Sequence, residues 1–355
     1  MPEPNSAAPP PPAAPAADSR RDEIKAWTAA TVDCSAFALA PASADASFRR
    51  YFRATFDAPP PRAQGRRTLI IMDAPPAKEN SAPFLHVARL LHAAGVHAPE
   101  VLAADLDRGF LLLTDLGERT YLGALDAASA PALYADAIDA LIRWQCASRE
   151  HELPPYDEAL LRRELDLFPD WYVARHLGVA LTTAQAATLA DAFARVLASN
   201  LAQPRVFVHR DYHSRNLMVS TPNPGVLDFQ DAVYGPITYD LCSLLRDAYI
   251  AWDEERQIDW AVRYWERARK AGLPVDADFG AFWRDFEWMG VQRQLKVLGI
   301  FARLCHRDGK PGYLGDMPRV MAYLRGACAR YRELGPLLKL LDELENRRPV
   351  VGYTF

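Results

Sequence analysis

The sequence lacks the features that would point to a membrane protein, a nucleic-acid-binding protein or a disulfide-rich protein. It has no run of about 18 apolar residues that could span a bilayer, and a formal net charge of -4 supplies no basic excess for nucleic acid. Its five cysteines are far apart, without a CxxC pair or clustered histidines. We therefore expect a cytoplasmic monomer with reduced cysteines and without membrane or nucleic-acid partners.

The first 17 residues are almost entirely Ala, Pro and Ser, and they lack the basic and Leu-rich regions of a signal peptide. Such a segment buries too little apolar surface to offset the entropy of ordering, so we predict a disordered tail over residues 1–20. The rest of the chain is long enough for a large core. We predict an N-terminal lobe over residues 21–117 and a C-terminal lobe over residues 118–355.

The N-terminal lobe shows the pattern of a short helix followed by a five-stranded sheet with one further helix. Apolar runs, alternation and turn residues predict a helix at 21–31, a β-hairpin over 37–56 with its tip at 42–47, strands at 68–72, 101–105 and 109–117, and a helix at 83–95.

This lobe also lacks two features that nucleotide-binding kinases usually have. Ser and Ala occupy the hairpin tip, where glycines would let backbone N–H groups approach phosphates. Met72 stands on the third strand where a lysine is expected. Arg49, Arg50 or Arg53 could make the missing phosphate contact, although an ordinary hairpin loop with solvent-facing arginines is the alternative.

From residue 121 onward the apolar residues recur at helical spacing. The helices are interrupted by short apolar segments at 205–209, 217–220 and 225–227, and the Pro- and Asn-rich turn at 221–225 makes a small hairpin of the last two. The fold class is therefore α+β, with a five-stranded antiparallel sheet and a helix in the N-terminal lobe and a mainly helical C-terminal lobe.

Three polar residues around this small hairpin form the most specific motif of the chain. Asp211 precedes Asn216 by five residues, and Asp228 ends the next apolar segment. A phosphoryl transfer needs a group that orients the acceptor hydroxyl and takes its proton late, which suits Asp211. An amide oxygen from Asn216 and a carboxylate from Asp228 suit the preference of Mg²⁺ for oxygen ligands.

We predict structural rather than catalytic roles for the polar residues near this motif. We expect His209 to stabilise the loop rather than act as a base. Asp240 is expected to head a buried helix and to bind the backbone of the loop. Asp231 is either an additional carboxylate behind the metal ligands or an ordinary surface acid, and we favour the latter.

At these residues the chain resembles the aminoglycoside phosphotransferase and choline-kinase-like family, whose members are relatives of protein kinases. The resemblance extends over about residues 37–341 and is carried by five stretches: 43–53, 72–76, 209–218, 226–239 and 289–310. It implies a protein-kinase-like bilobal fold, ATP and Mg²⁺ as cofactors, Asp211 as the catalytic residue, and Asn216 and Asp228 as metal ligands.

The resemblance also assigns the nucleotide site to the N-terminal lobe, with the backbone of residues 113–116 holding the adenine. The implied cofactor-binding residues are Ser43, Ser47, Arg49, Arg53, Leu113, Asp115 and Leu116.

Within this family the five stretches are similar to bacterial amino-sugar kinases. That similarity implies phosphorylation of the anomeric C1 hydroxyl of N-acetylmuramate or N-acetylglucosamine, with the sugar 1-phosphate feeding UDP-sugar synthesis and peptidoglycan recycling. Two alternatives stay open: a kinase of another small alcohol, such as an aminoglycoside or a choline-like amine, and a nucleotide-binding regulator without transferase activity.

Basic residues near the C-terminal end of the resemblance favour an acidic acceptor. If residues 291–307 form one helix, Arg293, Lys296, Arg303 and Arg307 lie on one face of it. Such a face repels a polycation and offers guanidinium groups to a carboxylate. We name His213, Arg215, Arg293, Lys296 and Arg303 as candidate substrate-binding residues. A solvated basic face is the alternative.

Overall fold

The computed structural model describes residues 18–44 and 48–346, and all structural statements below concern that part of the chain. Contacts divide the chain into two compact units. The first runs to Ser81 and includes Val101–Asp115, and the second comprises Ala82–Glu100 and the chain from Leu116 onward. The tail predicted for residues 1–17 lies outside the described residues. Residues 18–20, predicted as part of the tail, instead form the start of a helix and its cap.

The first unit contains one helix and a five-stranded sheet. Its elements are α1 (Ser19–Val32), β1 (Ala38–Ala44), β2 (Arg50–Thr55), β3 (Thr68–Asp73), β4 (Val101–Asp105) and β5 (Phe110–Thr114). The strand order is β1-β2-β3-β5-β4, and every neighbouring pair is antiparallel. The predicted hairpin and sheet are therefore confirmed, except that residues 42–44 of the predicted tip belong to β1, and residues 45–47 of the tip lie outside the described residues. The helix begins at Ser19 rather than Arg21 because the carboxylate of Asp18 accepts the Arg21 N–H at 3.2 Å.

One face of this sheet is closed by α1. Ile24 and Val32 of the helix pack with Phe52, Ile71 and Leu112, which lie opposite one another on three adjacent strands. Burying each of these side chains stabilises the unit by about 1.5–3 kcal/mol. The packing of α1 on the sheet therefore forms the hydrophobic core of the first unit.

The second unit is mainly helical. Its helices are α2 (Ala82–Ala93), α3 (Tyr121–Ala124), α4 (Ala130–Cys146), α5 (Glu158–Leu165), α6 (Thr183–Ala202), α7 (Tyr239–Leu245), α8 (Glu254–Lys270), α9 (Phe279–His306), α10 (Met317–Arg330) and α11 (Gly335–Leu344). A π-helical segment spans Phe168–His176, and short 3₁₀ segments span Pro311–Asp316 and Arg332–Leu334. None of the described helices combines the length and apolarity that a bilayer crossing needs.

The centre of the second unit is α9, a helix of 28 residues. It packs against α6, α7, α10 and the π-helical segment, so its middle turns are buried on every side. A close approach occurs at Gly299, where an added Cβ would lie 2.5 Å from the carbonyl oxygen of Leu167. Because α9 is enclosed, the charged residues in its middle turns are placed in the interior.

Four short strands interrupt the helices: β6 (Arg205–Val208), β7 (Leu217–Met218), β8 (Gly225–Val226) and β9 (Val233–Pro236). β7 and β8 form the predicted antiparallel hairpin, whereas β6 pairs with β9. The sequence did not predict β9, because Gly235 and Pro236 are poor strand formers. The loop between β6 and β7 and the segment after β8 carry the polar motif.

Candidate active site

The polar loop, defined here as residues 209–216, connects β6 to β7. After the β7–β8 hairpin the chain returns, and the N–H of Leu227 donates to the carbonyl oxygen of Asn216 at 2.9 Å. This hydrogen bond brings Asp228 next to the end of the loop. The amide nitrogen of Asn216 lies 3.3 Å from Oδ2 of Asp228 and 3.0 Å from the backbone oxygen of Asp211. The structure therefore brings the three motif residues together.

The donor atoms at this place fit a hard divalent cation. Asn216 uses its N–H₂ group for the two contacts above, which directs its carbonyl oxygen elsewhere, and the Asp228 carboxylate is partly exposed beside it. Within the described residues no three His, Cys, Asp or Glu side chains gather around one point. One amide and one carboxylate oxygen suit Mg²⁺, which prefers oxygen ligands and would also bind water and phosphate oxygens.

The backbone of the loop is held in an uncommon conformation. Arg210 and Asp228 have φ angles of 76° and 61°, in the left-handed region that costs a residue with a side chain about 1 kcal/mol or more. Asp240, fully buried in the first turn of α7, accepts the N–H groups of His209 at 2.6 Å and Arg210 at 2.9 Å. These two bonds hold the strained segment, and the predicted role of Asp240 is confirmed.

His209 is held by hydrogen bonds on both ring nitrogens. Nδ1 accepts the N–H of Asp211 at 3.2 Å, so Nε2 carries the proton and donates to the carbonyl oxygen of Leu227 at 3.0 Å. Burial lowers the pKa of His209 to about 4, although the charge of Asp211 opposes the shift. The ring is therefore neutral near pH 7, as predicted for a residue that stabilises the loop.

A second buried carboxylate, which the sequence analysis missed, holds the other half of the loop. Asp247 accepts the N–H of Ser214 and the N–H of Tyr249, both at 2.8 Å, and only 1% of it is exposed. A sequence signal existed, because Asp247 follows Asp240 by seven residues, about two turns of a helix. In a continuous helix this spacing would place the two acids on one side, whereas here α7 ends at Leu245 and Asp247 follows it.

The charge of Asp211 is set by the cations around it. Burial alone would raise the pKa of the Asp211 carboxyl, but Lys296, followed by His213 and Arg210, holds that pKa below its ordinary value. Lys296 is itself buried, and its Nζ lies 2.9 Å from Oε1 of Glu164 and 2.9 Å from the Tyr239 hydroxyl. Asp211 is thus ionised near pH 7 and able to accept a hydrogen bond from a hydroxyl.

The other candidate substrate-binding residues separate into two groups. His213, Arg215 and Arg293 surround Tyr249, with the Arg215 guanidinium 3.7 Å above the tyrosine ring. Arg303 lies further along α9 and is only half-buried. Since Arg293 and Lys296 are buried, a solvated basic face is the wrong interpretation for these two positions. Arg307 does fit that alternative, because it is exposed and pairs with Asp308 at 2.7 Å.

The arginines near the hairpin of the first unit all pair with acids. Arg53 forms a two-point ion pair with Asp115, at 2.7 and 3.0 Å. Arg49 lies 3.0 Å from Glu79. Arg50 pairs with Asp73 at 2.7 Å and with Asp18 at 2.5 Å. None of the three simply faces solvent.

The remaining candidate nucleotide-binding residues are divided between the two units. Leu113 is buried in β5 opposite Ile70, and Leu116 is buried in the second unit. Met72, which takes the place of the expected lysine, is fully buried in β3. Ser43 lies in β1, while its side chain and all of Ser47 fall outside the described residues.

Comparison with known proteins agrees with this geometry. The model of the phosphotransferase enzyme family matches residues 38–279, more than half of the chain. A protein of Pseudomonas putida named N-acetylmuramate/N-acetylglucosamine kinase is 54% identical over 308 residues, covering 86% of this chain and 88% of the relative. A protein of Neisseria meningitidis with the same name is 49% identical over 341 residues, covering 95% of this chain and 99% of the relative.

Solved structures share the fold at low sequence identity. A choline/ethanolamine kinase family protein from Mesorhizobium loti superposes with a TM-score of 0.59 at 17% identity, covering 91% of this chain and 99% of that one. An ADP-bound aminoglycoside phosphotransferase gives a TM-score of 0.55 at 14% identity, covering 85% and 97%. These likenesses establish a protein-kinase-like fold. The matched family model and the relatives at about 50% identity show that the chain belongs to the phosphotransferase enzyme family and is a phosphoryl-transferring enzyme.

Proposed function

We propose that the protein is an ATP-dependent, magnesium-assisted kinase that phosphorylates the anomeric C1 hydroxyl of N-acetylmuramate and N-acetylglucosamine. The main support is the 54% identity, over 86% of the chain, to a relative named for these two sugars. ATP as the donor is supported by the ADP-bound member among the structural neighbours. The sugar 1-phosphate would serve peptidoglycan recycling and UDP-sugar synthesis in the cytoplasm, where ATP is available.

In the proposed reaction Asp211 orients the acceptor. Its ionised carboxylate accepts a hydrogen bond from the C1 hydroxyl, and the hydroxyl oxygen forms a bond to the γ-phosphorus as the bond from that phosphorus to the β–γ bridging oxygen breaks. Because the transition state is loose, the hydroxyl becomes acidic only late, and its proton then passes to Asp211. ADP and the sugar 1-phosphate are the products.

Asn216 and Asp228 are the proposed magnesium ligands. A bound Mg²⁺ would neutralise the charge that spreads over the phosphate oxygens. The chain itself contributes the fixed spacing of the ligand atoms, since the Leu227–Asn216 hydrogen bond of 2.9 Å joins the two segments that carry them. Arg49 and Arg53 are the proposed phosphate-binding cations, and residues 113–116 the proposed adenine-binding segment.

The test is an assay of the purified protein with ATP, Mg²⁺ and each sugar. We expect release of ADP and an acid-labile sugar phosphate, with phosphorus coupling to the anomeric proton in the NMR spectrum of the product. Turnover of neither sugar would contradict the proposal. A phosphate on the C6 hydroxyl would retain the kinase but refute the anomeric position. Faster turnover of a cationic acceptor, such as choline or an aminoglycoside, would favour the alternative substrates.

A further inference from the structure

Arg215 and Arg293 form no salt bridge with an acidic side chain among the described residues. Arg215 is exposed, and its guanidinium lies 3.7 Å above the ring of Tyr249 and 5.6 Å from that of Tyr313. Arg293 is only 4% exposed, and its side chain hydrogen-bonds to the hydroxyl of Ser243 at 2.6 Å. Neither guanidinium forms an ion pair in the part of the chain that the structure describes.

Arg293 differs in this respect from the other buried cations. Arg246 lies 2.9 Å from a Glu287 carboxylate oxygen, and Lys296 lies 2.9 Å from one of Glu164. Removing a guanidinium from water without a counter-charge costs several kcal/mol. Among the described residues Arg246 and Lys296 therefore each contact an internal carboxylate. The side-chain hydrogen bond of Arg293 instead goes to a neutral hydroxyl, and the carboxylates of Asp247 and Asp211 act on it only from a longer distance.

Arg215 and Arg293 both lie near the rings of His213 and Tyr249. The ring of His213 lies edge-on to Tyr249, with centroids 5.3 Å apart, and its buried Nδ1 has no partner among the described residues. Both arginines lie within electrostatic reach of His213 and of Tyr249. We call His213, Arg215, Tyr249 and Arg293 the arginine cluster.

The arginine cluster adjoins the proposed catalytic residue. The N–H of His213 donates to the backbone oxygen of Asp211 at 3.0 Å, and Arg293 lies within electrostatic reach of the Asp211 side chain. Asp247 fixes the cluster, because it binds the N–H of Ser214, which precedes Arg215, as well as the N–H of Tyr249. Two cations are thus held near the place where the acceptor hydroxyl has to lie.

We propose that Arg215 and Arg293 bind a carboxylate of the acceptor and make the enzyme prefer an acidic sugar over its neutral counterpart. This inference rests on the proposed amino-sugar kinase activity. Planar guanidinium groups match a carboxylate with two parallel hydrogen bonds. N-acetylmuramate carries such a carboxylate on its lactyl ether, and N-acetylglucosamine has a hydroxyl at that carbon. The preference is therefore a difference of binding between two sugars that share the reacting C1 hydroxyl.

The test compares kcat and KM of the Arg215→Gln variant for N-acetylmuramate, its lactyl carboxamide and N-acetylglucosamine. A hydrogen bond to a charged group corresponds to about a tenfold to hundredfold change in affinity. We expect the ratio of KM for N-acetylmuramate to KM for N-acetylglucosamine to rise by about that factor. The variant should also lose the preference for the acid over its carboxamide.

The matched control is Arg269→Gln, which removes another exposed arginine that stacks on an aromatic ring, that of Trp265 at 4.8 Å. It should keep the wild-type ratio. Arg293→Gln is the second variant and should shift the ratio in the same direction. Its thermal unfolding is recorded beside the kinetics, and Arg215→Gln alone decides the outcome if this buried variant unfolds.

Three results would overturn the inference. An unchanged ratio of the two KM values in Arg215→Gln would show that the arginine cluster does not bind the carboxylate. An equal loss for both sugars would indicate a structural role. A raised KM for ATP with an unchanged ratio would assign the cluster to the phosphoryl groups of the nucleotide. Failure of the wild-type enzyme to turn over either sugar is a separate result, which refutes the proposed function itself.

Discussion

Oε1 of Glu164 lies 2.9 Å from Nζ of Lys296 and 2.5 Å from the guanidinium of Arg210. The other carboxylate oxygen accepts the hydroxyl of Tyr156 and the amide of Gln292. One buried acid on α5 therefore neutralises two cations, one in the polar loop and one on α9. The pKa of Glu164 is lowered despite its burial, because Lys296 and Arg210 favour the charged form.

We expect Glu164→Gln to lower the free energy of unfolding by about 3 kcal/mol, since removing one partner leaves the remaining buried charges uncompensated. Urea unfolding measures this loss. Glu158→Gln, an exposed position on the same helix, is the control and should change stability by less than about 0.5 kcal/mol. The double variant Glu164→Gln/Lys296→Met should recover part of the loss. A single variant as stable as the wild type would contradict this account.

The Glu164 contacts illustrate what the sequence does not predict. The spacing of Asp211, Asn216 and Asp228 is local, so a loop and a hairpin are enough to bring these residues together, and the motif was recognisable in the sequence. Glu164 bonds to Arg210 over 46 positions and to Gln292 over 128. Such pairs depend on how α5 and α9 pack, for which helical periodicity contains no information.

The basic residues on α9 illustrate the second limit. Helical spacing placed Arg293 and Lys296 on one face, and α9 does run through both. Their burial could not be predicted from spacing, because a basic stripe is normally solvated and only the surrounding helices enclose this one. The sheet of the first unit was easier to predict, since apolar runs separated by turn residues identify strands. Strand β9 was missed because its Gly and Pro are poor strand formers.

Asp211→Asn tests the proposed catalytic residue. Asparagine keeps the shape and the backbone hydrogen bonds of position 211 but lacks the carboxylate that accepts the proton. We expect kcat to fall by about a thousandfold or more, measured by ADP release. The melting temperature and ATP affinity should stay close to those of the wild type. A loss of less than tenfold in a folded variant would assign the acceptor's proton to another group.

Asp228→Asn tests the proposed magnesium site. Replacing the carboxylate by an amide removes the negative charge that attracts the cation, so the Mg²⁺ concentration for half-maximal activity should rise by about tenfold or more. Asp231→Asn is the matched control, because Asp231 is exposed and only three residues away. It should keep the wild-type Mg²⁺ dependence. Equal shifts in both variants would instead make Asp231 part of the metal site.

Substitutions of Arg49 and Arg53 test whether these arginines replace the lysine that is absent from the third strand. In kinases the strand lysine that contacts the phosphates is held by a glutamate, and Arg49 is similarly paired with Glu79 at 3.0 Å. We expect Arg49→Met to raise KM for ATP by about tenfold. Arg53→Met should do the same if its ion pair with Asp115 presents it to the nucleotide. Lys25→Met, an exposed position on α1, is the control. Unchanged KM values in both arginine variants would exclude these cations as phosphate ligands.

His209 makes the stability of the fold depend on pH in a defined direction. Burial lowers its pKa from the ordinary value of 6.5 to about 4. Between these two pH values the unfolded chain binds a proton that the folded chain does not bind. The free energy of unfolding is therefore undiminished by His209 above pH 6.5 and decreases as the pH falls toward 4. The shift corresponds to a loss of up to about 3 kcal/mol.

His209→Gln isolates this contribution, because glutamine can still donate to the carbonyl oxygen of Leu227 but does not titrate. The stability of the wild type relative to this variant should decrease by up to about 3 kcal/mol between pH 7 and pH 4, measured by urea unfolding at each pH. The pKa of His213 is also lowered by burial, and its contribution cancels because both proteins contain it. A pH-independent difference between the two proteins would show that His209 has the same pKa in the folded and the unfolded chain.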